Sequence, residues 1–315
     1  MSAKETRDGV PLTNLDQRLL EGADATKREL VDYLDTVADR IVPELADRPL
    51  SVIRVVRGQA PFMQTNVPKY TPDWVRTVTL WAEASKRDVS YALCNDRRTL
   101  LWFANQRAVE YHPTLFRADQ WDSPTHLVLD IDPPLEAFPQ AVQAAHLVRR
   151  ALADAGLTGV AKTSGAKGVH VFVPIAPHGS VEDVAAATRA IAARAENLDP
   201  DLATTAYVRE EREGKVFIDS TRAGGATVVS AYSPRARPGV PVSFPVAWDE
   251  LDRVRPGDFT IRTVAQLIGE TDPWAERMPQ PQQLGADLIE EGHAIPIARV
   301  RAMHEGKRRA RAKRR

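Results

Sequence analysis

A single cysteine, Cys94, stands in a chain of 315 residues. That excludes an intrachain disulfide and any cysteine-based zinc ribbon or finger. No apolar run approaches the roughly 18 residues of a membrane-spanning helix. The opening residues, MSAKETRDGV, hold no apolar h-region, so a soluble cytoplasmic protein is expected. Net charge is also missing, with 42 Lys and Arg against 42 Asp and Glu. The balance conceals an asymmetry. Residues Gly306 to Arg315 (GKRRARAKRR) carry seven basic side chains and no acidic one, which leaves the remainder about −7. A basic block of that density is expected to stay unfolded alone, and such arms neutralise nucleic-acid phosphates or simply solubilise. What is present is ordinary globular material, 43% hydrophobic and 27% charged, enough for one large domain or two small ones.

Along the chain, helical and strand patterns alternate. Thr26 and Glu29 have capping-box spacing, and Leu30, Tyr33, Val37 and Ile41 recur at helical intervals up to Pro43 and Pro49. Leu50 to Val56, Trp74 to Leu80 and parts of Val89 to Phe103 alternate as strands, with a Pro-containing loop from Gly58 to Tyr70. His126 to Asp132 (HLVLDID) is an apolar strand ending in acid and stopped by Pro133-Pro134. Phe138, Val142, Ala145, Val148 and Leu152 mark a helix closed by Gly156, and Val169 to Ile175 is a strand. Ser180 to Asp183 begins another helix, Val216 to Asp219 is a further strand, and Thr260 to Ile268 suits a helix. Strand, helix, strand, helix, strand predicts an α/β sheet in the middle of the chain.

Three carboxylates sit where chemistry is possible. Asp130 and Asp132 are one residue apart on a strand, hence on one face, and Asp219 ends a separate strand that could lie alongside. Such a set suits hard cations, Mg²⁺ or Mn²⁺, and a two-ion site stabilises attacking and leaving oxygens in phosphoryl transfer. An Asp-x-Asp leading into a turn is also a common structural feature. Thr163 to His170 (TSGAKGVH) offers two glycines, the Ser164 hydroxyl and the Lys167 ammonium to a phosphate chain, but it is not a Walker A loop. His170, on the face opposite Val169 and Val171, is of a kind more often simply solvent-facing. Arg222 and the SPRAR stretch with Arg235 supply forks for phosphate, or line a solvated loop.

Taken in order, LDIDPP (129–134), TSGAKGVHVFVPI (163–175), GKVFID (214–219) and YSPRARPGVPVSFPVAWDEL (232–251) resemble the archaeo-eukaryotic primase superfamily. Within it they look more like the polymerase domain of bacterial DNA ligase D, and LTNLDQRLLEGADATKRELVDYL (12–34) resembles that family's opening. The resemblance covers roughly residues 10–285. It implies an α+β, primase-like catalytic core with central mixed sheets flanked by helices. One polymerase domain would span 1–305, with DNA and nucleotide contacts in 10–115, metal and triphosphate residues in 116–285, and a basic tail at 306–315. Asp130, Asp132 and Asp219 would be catalytic metal ligands for two Mn²⁺ or Mg²⁺ ions, without zinc. Ser164, Lys167, His170, Arg222 and Arg235 would hold the triphosphate, His112 would sit by the sugar, and Phe62 and Met63 by the base. Asn14 and Lys27 would grip a DNA 5′-phosphate. Gln17 departs from the lysine the family usually has there, Met63 from an aromatic residue, and Thr65 from a lysine.

The activity implied is templated extension of a primer 3′-hydroxyl with NTP or dNTP, ribonucleotides accepted or preferred, in gap filling or non-homologous end joining. No Lys-x-Asp-Gly ligase motif is present, so a stand-alone polymerase near the nucleoid is expected, with a Ku-like end-binding protein and a separate ligase as partners. The alternative is a DNA-end bridging module with a vestigial polymerase site.

Overall fold

The computed structural model describes residues 5–82, 86–135, 137–177, 180–223 and 226–297. The basic block at 306–315 lies outside them. The chain divides into two compact units. The first comprises residues 1–121, 162–166 and 227–277, and the second 122–161, 167–226 and 278–315.

The first unit opens with a two-residue ladder, β1 (Thr6–Arg7) with β2 (Val10–Pro11). Helix α1 (Lys27–Thr36) starts where the capping box predicts: Thr26 Oγ1 accepts from the Glu29 amide, and the Thr26 amide donates to the Glu29 carboxylate at 2.8 Å. Leu30, Val31 and Leu34 are fully buried, each removal from water worth about 1.5–3 kcal/mol. The predicted single helix is interrupted at Val37, whose backbone leaves helical geometry, and α2 (Ala38–Leu45) follows with Pro43 inside it. A five-stranded sheet then forms from β3 (Leu50–Arg54), β4 (Phe62–Gln64), β5 (Thr77–Ala82), β6 (Arg87–Ala92) and, after helix α3 (Arg97–Asn105), β7 (Ala108–Pro113). The order is β4-β3-β6-β5, with β7 also on β3. Residues 97–103, read from sequence as partly strand-like, are helical because Asp96 caps α3 by accepting from the Thr99 amide at 2.7 Å.

The second unit carries the site carboxylates. Its central strand β8 (His126–Asp132) is followed by helix α4 (Phe138–Asp154), β9 (Val160–Thr163, whose first two residues belong here), β10 (Val169–Pro174), helix α5 (Val181–Leu198), β11 (Ala203–Thr204) and β12 (Val216–Asp219). These strands run β11-β12-β8-β10-β9. β8 is antiparallel to both neighbours and β11 parallel to β12, so the sheet is mixed. Ser180 caps α5 as its sequence predicts, accepting from the Asp183 amide.

From residue 227 the chain rejoins the first unit with β13 (Pro245–Val246), α6 (Ile261–Leu267) and α7 (Pro273–Arg277). Its last described helix, α8 (Ala286–Ala294), returns to the second unit and packs on α5. No helix of the described residues is long and apolar enough to cross a membrane.

Candidate active site

The carboxylates of the second unit are brought together by strand register. Asp130 on β8 pairs with Asp219 on β12 and with His170 on β10, so the three form one row across the sheet. Asp132, two residues on, shares that face. Gly168 makes the close pairing of β8 and β10 possible, since a Cβ there would lie 2.1 Å from the Ile131 carbonyl oxygen.

Charge then organises the row. Asp130 Oδ1 lies 3.2 Å from His170 Nε2, and Asp130 Oδ2 accepts from Arg222 Nη2 at 2.6 Å. The same Arg222 nitrogen is 3.0 Å from Asp219 Oδ2. Asp219 Oδ1 accepts from the Thr221 amide and hydroxyl at 2.8 and 2.6 Å. Burial alone would raise the Asp130 pKa, but the His170 and Arg222 charges outweigh it and hold the carboxyl well below its usual range. Asp132 moves the other way: burial and then the Asp130 charge raise it. Its Oδ1 is 3.7 Å from Lys167 Nζ, which donates to the Pro133 carbonyl at 2.7 Å. His170 is therefore buried against a carboxylate, and the solvent-facing reading is corrected. Alternation signals which residues share a face, but not that both faces are covered.

The first unit holds a second polar cluster. Ser164 is buried, its Oγ accepts from the Ala166 amide at 3.2 Å, and its carbonyl accepts from Arg235 Nη1 at 2.5 Å. Gly165, at φ +65°, packs against Arg235 so closely that a Cβ would meet its Cγ at 2.8 Å. The residue missed by sequence reasoning is Glu110. Its Oε2 accepts from His112 Nε2 at 2.8 Å and lies 3.0 Å from Arg235 Nε, while Oε1 accepts from the Ala236 amide at 2.9 Å. Burial raises the Glu110 carboxyl, yet the His112 hydrogen bond and the Arg235 charge bring it down to about 2. Burial lowers the His112 pKa, and Glu110 offsets only part of this. A carboxylate two residues before a candidate histidine on one strand was the available signal.

Phe62 and Met63 are both exposed, but adjacent strand residues face opposite ways. Met63 pairs with Ile53, on the sheet face that carries Glu110 and His112, whereas Phe62 pairs with Arg54 on the other. The Arg54 guanidinium lies 5.9 Å from the Phe62 ring centroid and donates to the Tyr70 hydroxyl at 2.9 Å. Asn14 is exposed at φ +54°, while Lys27 is buried and donates to the Thr13 carbonyl and Asn105 Oδ1 at 2.5 and 2.7 Å. Burial, and after it the Arg107 charge, lowers Lys27 to about 8.

No three His, Cys, Asp or Glu side chains among the described residues converge to enclose a metal ion as they stand. The donors nevertheless fit one in chemistry. Three hard carboxylates share a face, and between Asp130 and Asp219 the chain's own guanidinium stands in as the cation.

Comparison with known proteins shows the family and the fold. The family model "LigD, primase-polymerase domain" matches residues 26–274. The bifunctional non-homologous end joining protein LigD of Bacillus subtilis is 33% identical over 295 residues, 91% of this chain and 47% of that protein. The multifunctional LigD of Mycolicibacterium smegmatis is 32% identical over 253 residues, 78% of this chain and 33% of its own length. The chain thus spans less than half of these relatives. Among solved structures, the polymerase domain from Mycobacterium tuberculosis ligase D in complex with DNA superposes with a TM-score of 0.78 at 29% identity, covering 85% of this chain and 97% of that one.

Proposed function

The chain belongs to the LigD primase-polymerase domain family, one of DNA-polymerising nucleotidyltransferases, and from that premise we propose that it extends a primer 3′-hydroxyl on a DNA template in gap filling or non-homologous end joining. The observation that carries this reading is the row Asp219–Asp130–His170 with Asp132 on the same face. Asp130, Asp132 and Asp219 would hold one or two divalent ions, Mn²⁺ or Mg²⁺. Such ions supply charge neutralisation at the attacking and leaving oxygens of an in-line displacement.

The chain's own side chains do the positioning. His170 keeps Asp130 ionised and oriented, and Arg222 neutralises Asp130 and Asp219 in the metal-free chain. Arg222 would also offer its guanidinium to a triphosphate oxygen. Lys167 would meet triphosphate oxygens, as would Ser164 and Arg235, with Arg235 set by Glu110 and the Ser164 carbonyl. His112, fixed by Glu110 and kept neutral by burial, suits a sugar hydroxyl, which accords with acceptance of ribonucleotides. Met63, exposed on the His112 face, would pack on the base. A Ku-like end-binding protein and a DNA ligase activity are the partners that would work beside it in this reading.

The test is primer extension on gapped DNA with Mn²⁺, comparing NTPs with dNTPs and wild type with Asp132→Ala. Templated extension lost in the variant supports a polymerase. DNA binding without extension on any substrate favours the end-bridging alternative instead.

A further inference from the structure

Lys162, near the end of β9, is fully buried in the first unit. An ammonium in such surroundings is costly unless hydrogen bonds satisfy it. Its Nζ donates to the Ser243 hydroxyl oxygen at 2.6 Å and to the Val229 carbonyl at 2.9 Å. Because an ammonium can only donate, the Ser243 oxygen must accept from it. The hydroxyl proton of Ser243 is thereby directed to the Thr163 carbonyl, at 2.8 Å. Lys162 thus fixes the direction of a relay that ends on the residue before Ser164. Thr163 binds the same segment twice more. Its amide donates to the Phe244 carbonyl at 2.9 Å, and its Oγ1 accepts from the Phe244 amide at 3.1 Å.

The segment 241–244 also holds the backbone around Arg235. The Ser243 amide donates to the Ser233 carbonyl at 2.9 Å, and the Arg235 amide donates to the Pro241 carbonyl at 2.7 Å. The packing leaves no slack, since a Cβ on Gly165 would lie 2.8 Å from both the Ser243 nitrogen and Arg235 Cγ. Ser164 and Arg235 therefore rest on the segment that Lys162 pins. The charge reaches the sugar side as well: burial first, and then the charges of Arg235 and Lys162, lower the His112 pKa against the pull of Glu110.

We propose that Lys162 is a positioning residue for the nucleotide site, its buried ammonium acting through Ser243 and Thr163 to set where Ser164 and Arg235 meet the triphosphate. The inference rests on the reading of the chain as a polymerase. Lys162 itself touches no substrate; it holds the donors that do.

The test compares wild type, Lys162→Met and Ser243→Ala as full chains. It uses equilibrium binding of ATP with Mn²⁺, binding of gapped DNA, and steady-state extension opposite thymine. Methionine keeps the reach of the side chain and removes the donor, and thermal melting reports folding. Lys162→Met should bind ATP about tenfold more weakly and raise KM for ATP by a similar factor, about the worth of one hydrogen bond. Its kcat and gapped-DNA affinity should stay within about twofold of wild type. Ser243→Ala cuts the relay and keeps Lys162, so about a threefold loss is expected in the same two quantities. That variant decides alone should Lys162→Met fail to fold. A lower melting temperature with ATP affinity and KM unchanged, in either variant, overturns the proposal and leaves Lys162 a core residue only. Parallel losses in kcat and DNA affinity overturn it too, since they mark general damage to the fold. A wild type that binds ATP but extends no primer overturns the functional reading alone, and one that binds no ATP overturns both.

Discussion

The two polar clusters are built by different means. The acid cluster of the second unit comes from regular strands: alternation puts Asp130 and Asp132 on one face, and register sets Asp219 and His170 on either side of Asp130. The Glu110 cluster of the first unit comes from chain crossings, with Arg235 and Ala236 reaching a carboxylate 125 and 126 residues away in sequence. In the first, like charges are forced together and held by borrowed cations. In the second, one buried anion organises two cationic or neutral partners. The first therefore depends on a cation between its carboxylates, and the second on the single anion at its centre.

That contrast can be broken at several points. The largest effect is expected from Asp132→Ala, which removes a carboxylate that no arginine among the described residues pairs and that lies 3.7 Å from Lys167 Nζ. Extension should fall by about 10³-fold or more with melting temperature nearly unchanged, as checked by single-turnover extension and calorimetry. Gly168→Ala attacks the register itself. With its Cβ forced toward the Ile131 carbonyl, the second unit should lose about 3 kcal/mol in urea unfolding, the upper end of what overpacking usually costs.

Glu110→Gln tests the rigid cluster. Its carboxyl titrates at about 2 in the folded chain against an ordinary 4.5, so its pairing stabilises the fold fully above about pH 4.5 and is lost as pH falls toward 2. The shift corresponds to at most about 3 kcal/mol. The variant should be less stable at neutral pH and show a flatter loss of stability between pH 4.5 and 2, followed by chemical denaturation across that range. The smallest effect belongs to Arg222→Gln. Without the guanidinium, Asp130 and Asp219 repel, so the metal-free chain should melt lower. Mn²⁺, followed by electron paramagnetic resonance, should bind about tenfold more tightly. Weaker Mn²⁺ binding would mean that Arg222 supports the ion rather than replacing it.

Much of the scaffold was legible. The strands His126–Asp132 and Val216–Asp219 stand where their apolar runs and terminal acids put them, and the helices after Thr26 and Ser180 begin at their caps. These are local effects, set by hydrogen bonds within three or four residues and by side-chain periodicity. The misreadings arose where local signals competed. Of the stretch Val89 to Phe103, parts of which alternate like a strand, only the residues up to Ala92 form one; from Arg97 the Asp96 cap and the burial of Leu100, Leu101 and Phe103 make a helix. The helix begun at Lys27 broke at Val37, ahead of the proline expected to end it.

By itself, the sequence determined which residues could act: three strand carboxylates, a glycine turn with serine and lysine, and the arginines beyond it. Period-two geometry alone places Asp130 and Asp132 on one face. Only tertiary structure decided that Asp219 and His170 flank Asp130, that Arg222 occupies the place between two carboxylates, and that Glu110 binds both His112 and Arg235. Strand order and the pairing of distant charges follow from packing energies summed over a whole unit, which no short stretch of sequence carries.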